Sequence, residues 1–535
     1  MAAGDLLTDT RMRPYHSGHA AVARNAHERA GRPEPFTQAL GERTWDEWLG
    51  ERSFYQDPLY PYLVAAVYAL AGRRMGAVVL LQGLLGLATV AMIFWLTRRL
   101  FGGAAAALAG LLAALYGPLI YYEALLLKPV LIACTGLAGL CLTVRALDPP
   151  AGRLRHLAAG LAGGVAFLAQ SAAVLFVAPA LAIVAVSWRS RRVSVTRTAG
   201  TMLVGFLLAL APVVARNLTV GAPPLAFSAT GGWTFMNHNA EDYDPRAGDT
   251  VTRHAASIMS RTGGRLLPAV VETLRTQRSP ADWPVQLGGK LATFWHWYEM
   301  PNNASFEYYR RQAPVSRLFV TFALVGPLAA LGLALAPWRS PGAALAGLHV
   351  AAGLAVLVIF YQISRLRLPP VVAMIPFAAF GAVCLARLVR RSRYGRLSAA
   401  LAATGVLAAL LLRPLPDGRT LLRPADYGVT GEIARHLAGL RMEAGDLEGA
   451  LRVVERQLAV EPPALRELDP AAGQARLAWH DAEASGAFAP LHGLAAELYA
   501  EQGRLDRARE ERRRARVLAI VAERYAREKA LSETP

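Results

Sequence analysis

Cysteine is nearly missing from this chain. Its three thiols, Cys134, Cys141 and Cys384, each lie inside an apolar run. They show no metal-type spacing, so they read as small core-filling groups rather than ligands. Charge is scarce too. Asp, Glu, Lys and Arg make up 18% of the 535 residues, against 54% hydrophobic. That balance excludes an ordinary soluble domain and fits a polytopic membrane protein. Acidic residues are the scarcer sign, 39 against 57 basic, for a net charge of +18. Much of the basic excess falls in short loops, such as "WRSRRVSVTR" (188–197) and "RRSRYGR" (390–396). No aromatic-basic platform accompanies these loops. They read as cytoplasmic retention signals, and no nucleic-acid partner is expected.

What is present is a series of long apolar runs. A bilayer core takes about 20 apolar residues per helix. The runs predict spans at 76–97, 103–121, 127–147, 155–170, 172–188, 198–216, 316–337, 342–362, 369–389 and 396–413. The run 155–188 is divided at the polar pair Gln170–Ser171. Basic short loops then alternate with the spans and mark the cytoplasmic side. The opposite, extracytoplasmic side receives "YYEALLLK" (121–128), the long loop 217–315, "SRLR" (364–367), the segment 44–75 and the tail. Residues 1–43 hold no apolar span and no signal-peptide core. Such a segment would have to cross unaided, so a first span is expected to be missing ahead of 44–75.

Several stretches, in this order, carry a resemblance. They are "FYQDPLYPYLVAAVYALAG", "TRRLFG", "ALYGPLIYYEALLLKP", "ARNLTVGAPPLAFSATGGWTFMNHN", "FWHWYEMPNNASFEYYRR" and "YQISRLRLPPV". Together, over about residues 44–390, they resemble membrane glycosyltransferases of the GT-C class. These are the family 39 relatives of protein mannosyltransferases and aminoarabinose transferases, which use polyprenyl-phosphate sugars. The resemblance implies an all-α transmembrane bundle with a long extracytoplasmic loop. It also implies a lipid-phosphate sugar donor and a glycan, lipid or protein acceptor. Two departures stand out. Such enzymes carry a catalytic Asp just after their first span, where 30–43 offers only Glu34 and Glu42. An Arg-Pro pair of the relatives is replaced by "LAQSAAV" (168–174).

Transfer from a lipid phosphate needs a carboxylate base for the acceptor hydroxyl and a cation for the leaving phosphate. Asp57 in "YQDPLY" is one candidate base, set by Pro58 and Pro61 at a helix start. Glu123 in "YYEALLLKP" is the second, and Glu34 the third. Asp57 and Glu123 share the outer face, which makes a divalent metal the one cofactor to consider. Lys128 could meet a phosphate. Arg365 and Arg367 sit outside two apolar spans, against the usual distribution of cations, and an anionic lipid phosphate supplies a reason. Tyr55 and Tyr60 could stack on a sugar ring. In the long loop Trp233, Asn237, His238, Glu299 and Asn303 combine aromatic planes with polar groups suited to carbohydrate. Each has a plainer reading, as interface aromatics, snorkelling cations or solvated loop groups.

After Pro416 the composition turns to Ala, Leu, Arg and Glu. "LAGLRMEAGDLEGALRVVERQLAVEPP" (437–463) and "LHGLAAELYAEQGRLDRARE" (491–510) resemble tetratricopeptide repeats, with small residues at Gly445, Ala450, Gly503 and Ala508. A helical tail over 425–530 with a protein-binding surface is expected. The chain as a whole is expected in a bacterial inner membrane, with site and tail outside. The competing readings are a lipid-linked saccharide flippase and a non-catalytic scaffold of the same fold. Charged residues are few within the spans, which speaks against the first.

Overall fold

The computed structural model describes residues 17–49, 53–148, 152–174, 176, 180, 195–243, 251–302, 304–412, 424–468 and 479–532. The described residues are helical, with one isolated bridge, Tyr116 to Val320, as their only β pairing. The fold is all-α, as the sequence predicts. It divides into two units: residues 1–241, 254–297 and 315–412 form the first, and 242–253, 298–314 and 413–535 the second.

The first unit contains α1 (Ser17–Arg29), α2 (Gln38–Leu49), α3 (Leu59–Ala71), α4 (Met75–Phe101), α5 (Gly103–Ala114), α6 (Gly117–Glu123), α7 (Pro129–Ala146) and α8 (Arg153–Ala169). It continues with α9 (Val195–Thr219), α10 (Gly231–Asn239), α11 (Ala255–Thr262), α12 (Leu266–Leu274), α13 (Asp282–Phe294), α14 (Phe322–Leu335), α15 (Pro341–Ile359), α16 (Ser364–Arg390) and α17 (Tyr394–Leu411). Among the described residues six helices are long and apolar enough to cross a membrane: α4, α7, α9, α15, α16 and α17. Most of the expected span 172–188 lies outside the described residues.

The predicted span 103–121 is two helices rather than one. Pro118 cannot continue α5, so the chain turns at Tyr116, where Gly117 N donates to Val320 O at 2.8 Å. At the centre stands α16, with Val371 through Ala379 all buried. It approaches α14 backbone to backbone. A Cβ on Gly332 would fall 1.8 Å from Phe377 O, so only glycine lets these helices meet. Cohesion in lipid depends on such close fits, since lipid tails are as apolar as leucine.

The long segment 217–315 carries four helices of this unit rather than open loop. The described residues ahead of residue 75 form three helices. α1 and α2 join α10, α11 and α12 in a small core around Trp45, Met236, Ile258 and Met259.

The second unit has the helix Phe306–Gln312 and a tail of α18 (Pro424–Glu443), α19 (Leu447–Leu458), α20 (Trp479–Glu501) and α21 (Leu505–Ser532). The tail makes two antiparallel hairpins. Gly445 (φ 77°) and Gly503 (φ 74°) take the left-handed conformation that stops the first helix of each pair. Asp446 then caps α19, accepting from Gly449 N at 2.8 Å. Ala450 and Ala508 are buried where the hairpin helices meet.

Candidate active site

A half-open cavity of about 300 Å³ in the first unit has Asp57, Tyr60, Lys128 and Arg365 in its walls. These four come from separate parts of the sequence. Asp57 ends the turn before α3, whose first helical turn carries Tyr60. Lys128 starts α7 and Arg365 starts α16. Gln56, Gln170, Ser228, Thr230, Thr234 and Tyr361 also line the space.

Asp57 is buried, and both its oxygens are engaged. Lys128 Nζ donates to Oδ2 at 2.7 Å and Ser171 N donates to Oδ1 at 2.8 Å. Neither oxygen caps α3, so the carboxylate is not a helix cap. The Ser171 amide is free for this bond because the chain leaves α8 at Gln170 in an extended conformation. The polar pair that divides the apolar run 155–188 thus supplies a donor to the candidate base. Tyr60 is oriented by its hydroxyl, which donates to Gln82 Oε1 at 2.8 Å. Gln82 in turn donates to the carbonyls of Glu123 and Leu125 at 2.8 and 2.7 Å, tying α4 to the turn that carries Lys128.

Arg365 Nη2 donates to the Tyr361 hydroxyl at 3.4 Å, and the Tyr361 ring stacks on His238 at 4.0 Å. His238 bonds Thr234 O through Nδ1 at 2.7 Å. His238 therefore supports the wall rather than forming it.

The other candidates stand elsewhere. Glu123 is half-buried against α4. A Cβ on Gly86 would lie 1.8 Å from its Oε1, and burial pushes its carboxyl up to about 7. It is absent from the cavity lining, so it does not share that space with Asp57. Glu34 is exposed in the turn between α1 and α2. Arg367 turns away from Arg365 and is buried, 3.8 Å from the centroid of Phe322 and 5.6 Å from that of Phe294. Trp233 packs edge-on to Trp45 at 4.8 Å, and Tyr55 packs against the same small core. Asn237 is buried in α10. Glu299 is buried in the second unit, and Asn303 lies outside the described residues. Among the described residues no group of three or more His, Cys, Asp or Glu is arranged to hold a metal.

Two smaller apolar cavities adjoin this space. The first, about 70 Å³, shares Ile132, Gln170, Ala172, Val356 and Leu366 with it. The second, about 140 Å³, shares Gly139, Gly163 and Phe176 with the first. A chamber with charged groups in its wall thus lies next to small, glycine-lined apolar spaces between helices.

Residues 56–215 match the family model described as dolichyl-phosphate-mannose-protein mannosyltransferase. The glycosyltransferase resemblance of the sequence holds over that segment, which contains Asp57, Tyr60, Glu123 and Lys128. Solved structures similar to the chain include ArnT from Cupriavidus metallidurans bound to undecaprenyl phosphate. It is 16% identical, with a TM-score of 0.38, over 98% of this chain and 75% of that one. The archaeal oligosaccharyltransferase AglB from Archaeoglobus fulgidus, in complex with an inhibitory peptide and a dolichol-phosphate, is 12% identical. Its TM-score is 0.34, over 77% of this chain and 58% of that one. No curated protein matches the chain by sequence. With its six apolar spans and this family match, the chain is an integral membrane protein.

Proposed function

We propose that this chain moves a sugar from a polyprenyl-phosphate donor to an acceptor hydroxyl at the extracytoplasmic face of a bacterial inner membrane. The observation that carries the reading is the convergence of Asp57, Lys128 and Arg365 on one chamber whose remaining lining is mainly apolar. An amphipathic donor needs both kinds of surface. The isoprenoid tail runs along the apolar side toward lipid, and the phosphate meets the cations. The acceptor oxygen attacks the anomeric carbon while Asp57 takes its proton. The bond between that carbon and the phosphate oxygen breaks, and its electron pair stays on the phosphate. Lys128 and Arg365 offset the charge that develops there. Tyr60 lies beside the sugar.

Asp57 serves as base only if Lys128 moves toward the phosphate, since the ion pair holds one carboxylate oxygen. Donor binding supplies the reason for that move, because a phosphate competes for the same ammonium. A divalent ion, if used, would be held by Asp57 together with the donor phosphate. The two tail hairpins are read as a repeat surface for a protein partner.

The test uses purified full-length protein in detergent with a panel of undecaprenyl-phosphate hexoses and pentoses. Release of undecaprenyl phosphate in the presence of an acceptor mixture is expected, and Asp57→Asn should lower it by about 10²–10⁴. Binding of undecaprenyl phosphate without turnover of any sugar would favour a flippase or scaffold. No binding at all would sink the reading.

A further inference from the structure

The corner between α15 and α16 is held by residues far away in sequence. A helix end leaves its last carbonyls without donors from the helix itself. α15 stops at Ile359, whose carbonyl accepts from Asn239 Nδ2 at 2.9 Å. The next carbonyl, Phe360 O, accepts from Lys290 Nζ at 2.9 Å. A cation there also meets the negative end of the helix dipole.

Asn239 is fully buried and completes the arrangement. Its Nδ2 also donates to Phe235 O at 2.9 Å. Its Oδ1 accepts from Lys290 Nζ at 2.8 Å and from Trp283 Nε1 at 3.0 Å. An amide side chain has two donor protons and two acceptor lone pairs, and all four are used. That full set of partners fixes the direction of the amide. Lys290 is itself 1% exposed, and burial lowers its ammonium to about 7. A long cationic side chain buried at such a cost is expected to have a task.

The task follows from what comes next in the chain. Tyr361 is the neighbour of Phe360, and its hydroxyl accepts from Arg365. Both line the chamber. Moving the 359–360 corner therefore moves the two side chains that form this part of the wall. We propose that Lys290, acting with Asn239, is a positioning residue that sets Tyr361 and Arg365 for the grip on the donor phosphate. This rests on the phosphate-binding reading of Arg365 given above.

The experiment uses full-length protein in detergent, with undecaprenyl phosphate as the probe. Lys290→Met keeps the apolar stem and removes the donors. It should speed amide hydrogen exchange across 359–366 in the absence of lipid and leave α4 unchanged. It should also weaken undecaprenyl phosphate binding about tenfold, the scale expected when a contact is displaced by a fraction of an ångström. Lys290→Arg keeps a cation with donors and should recover most of the affinity. Added to Arg365→Lys, Lys290→Met should cost nothing further, because it acts through Arg365. Lys290→Gln, a shorter donor, replaces Met in the same series if the Met variant does not fold.

Wild-type affinity in Lys290→Met, or full additivity with Arg365→Lys, overturns the positioning role. A wild-type chain that binds no undecaprenyl phosphate overturns the phosphate reading and this role with it. The exchange data then still report whether Lys290 holds the corner.

Discussion

The ion pair between Asp57 and Lys128 gives the sharpest quantitative prediction. Their side chains are 9% and 23% exposed, and they meet at 2.7 Å. A charge-assisted hydrogen bond in a dry site contributes about 1.5–3 kcal/mol. Partial exposure of the lysine reduces that, so about 1–2 kcal/mol of coupling is expected. Three variants isolate it: Asp57→Asn, Lys128→Met, and the two combined. Asp57→Asn keeps an oxygen for the Ser171 amide but sets an amide donor against the lysine ammonium. Lys128→Met is the harsher change, since it leaves a buried carboxylate without its cation. The combined variant has neither problem and should recover part of the loss. Midpoint shifts of the first unit's thermal unfolding in one detergent give the comparison, because a chain of two units need not melt in a single step. Shifts of the two singles that add to the shift of the double within error would refute the pair as a coupled unit. In the same series Asp57→Asn should lower transfer by about 10²–10⁴, the usual worth of a general base.

Arg365→Lys should weaken undecaprenyl phosphate binding about tenfold, since lysine lacks the planar fork that grips two oxygens. Arg367→Lys should instead lower the melting midpoint with little change in affinity, because Arg367 lies over Phe322; the opposite pattern would exchange the roles of the two. In the tail, His492 is buried between Glu461 and Glu511, with Arg514 also facing Glu461. Burial lowers its pKa, but hydrogen bonds to the two carboxylates outweigh that and leave it raised. Its contribution to stability is therefore fully present below the ordinary imidazole value and lost as pH rises through the raised one. Hydrogen-exchange protection of the full chain at α20 and α21, taken relative to the intrinsic rate at each pH, should fall over that window and stay flat in His492→Phe. For topology, a reporter active only outside the cytoplasm should work when fused after Pro416 and be silent after Arg192; reversed signals would overturn the outside placement of the site.

Apolar length and basic flanks are properties of local sequence, so six of the ten predicted spans were legible without coordinates, while 103–121, 155–170 and 316–337 form shorter helices. The turn chemistry of the tail was legible too, where Gly445 and Gly503 mark the ends of helices. Asp57, Tyr60, Lys128 and Arg365 could be singled out as residue types in suggestive places. That they share a chamber depends on how α3, α7 and α16 pack, which no single segment encodes.

The pair Arg365 and Arg367 shows the limit most clearly. Read as a turn before Pro369, they look equivalent. In the structure α16 begins at Ser364, so both arginines are already helical. Two residues along a helix are separated by about 200° of rotation, so one faces the chamber and the other the aromatic core. Glu123 follows the same logic. Its neighbours reach the chamber while its own carboxyl lies on Gly86. Lys290 carried no local signal at all. A lysine in an amphipathic helix usually snorkels to water, and only the arrival of α15 beside α13 gives this one a carbonyl to hold. Local sequence sets which segments are helices and which residues have the right chemistry. Helix register and long-range packing set which of those residues meet, because a side chain's direction is fixed by where its helix starts and what packs against it.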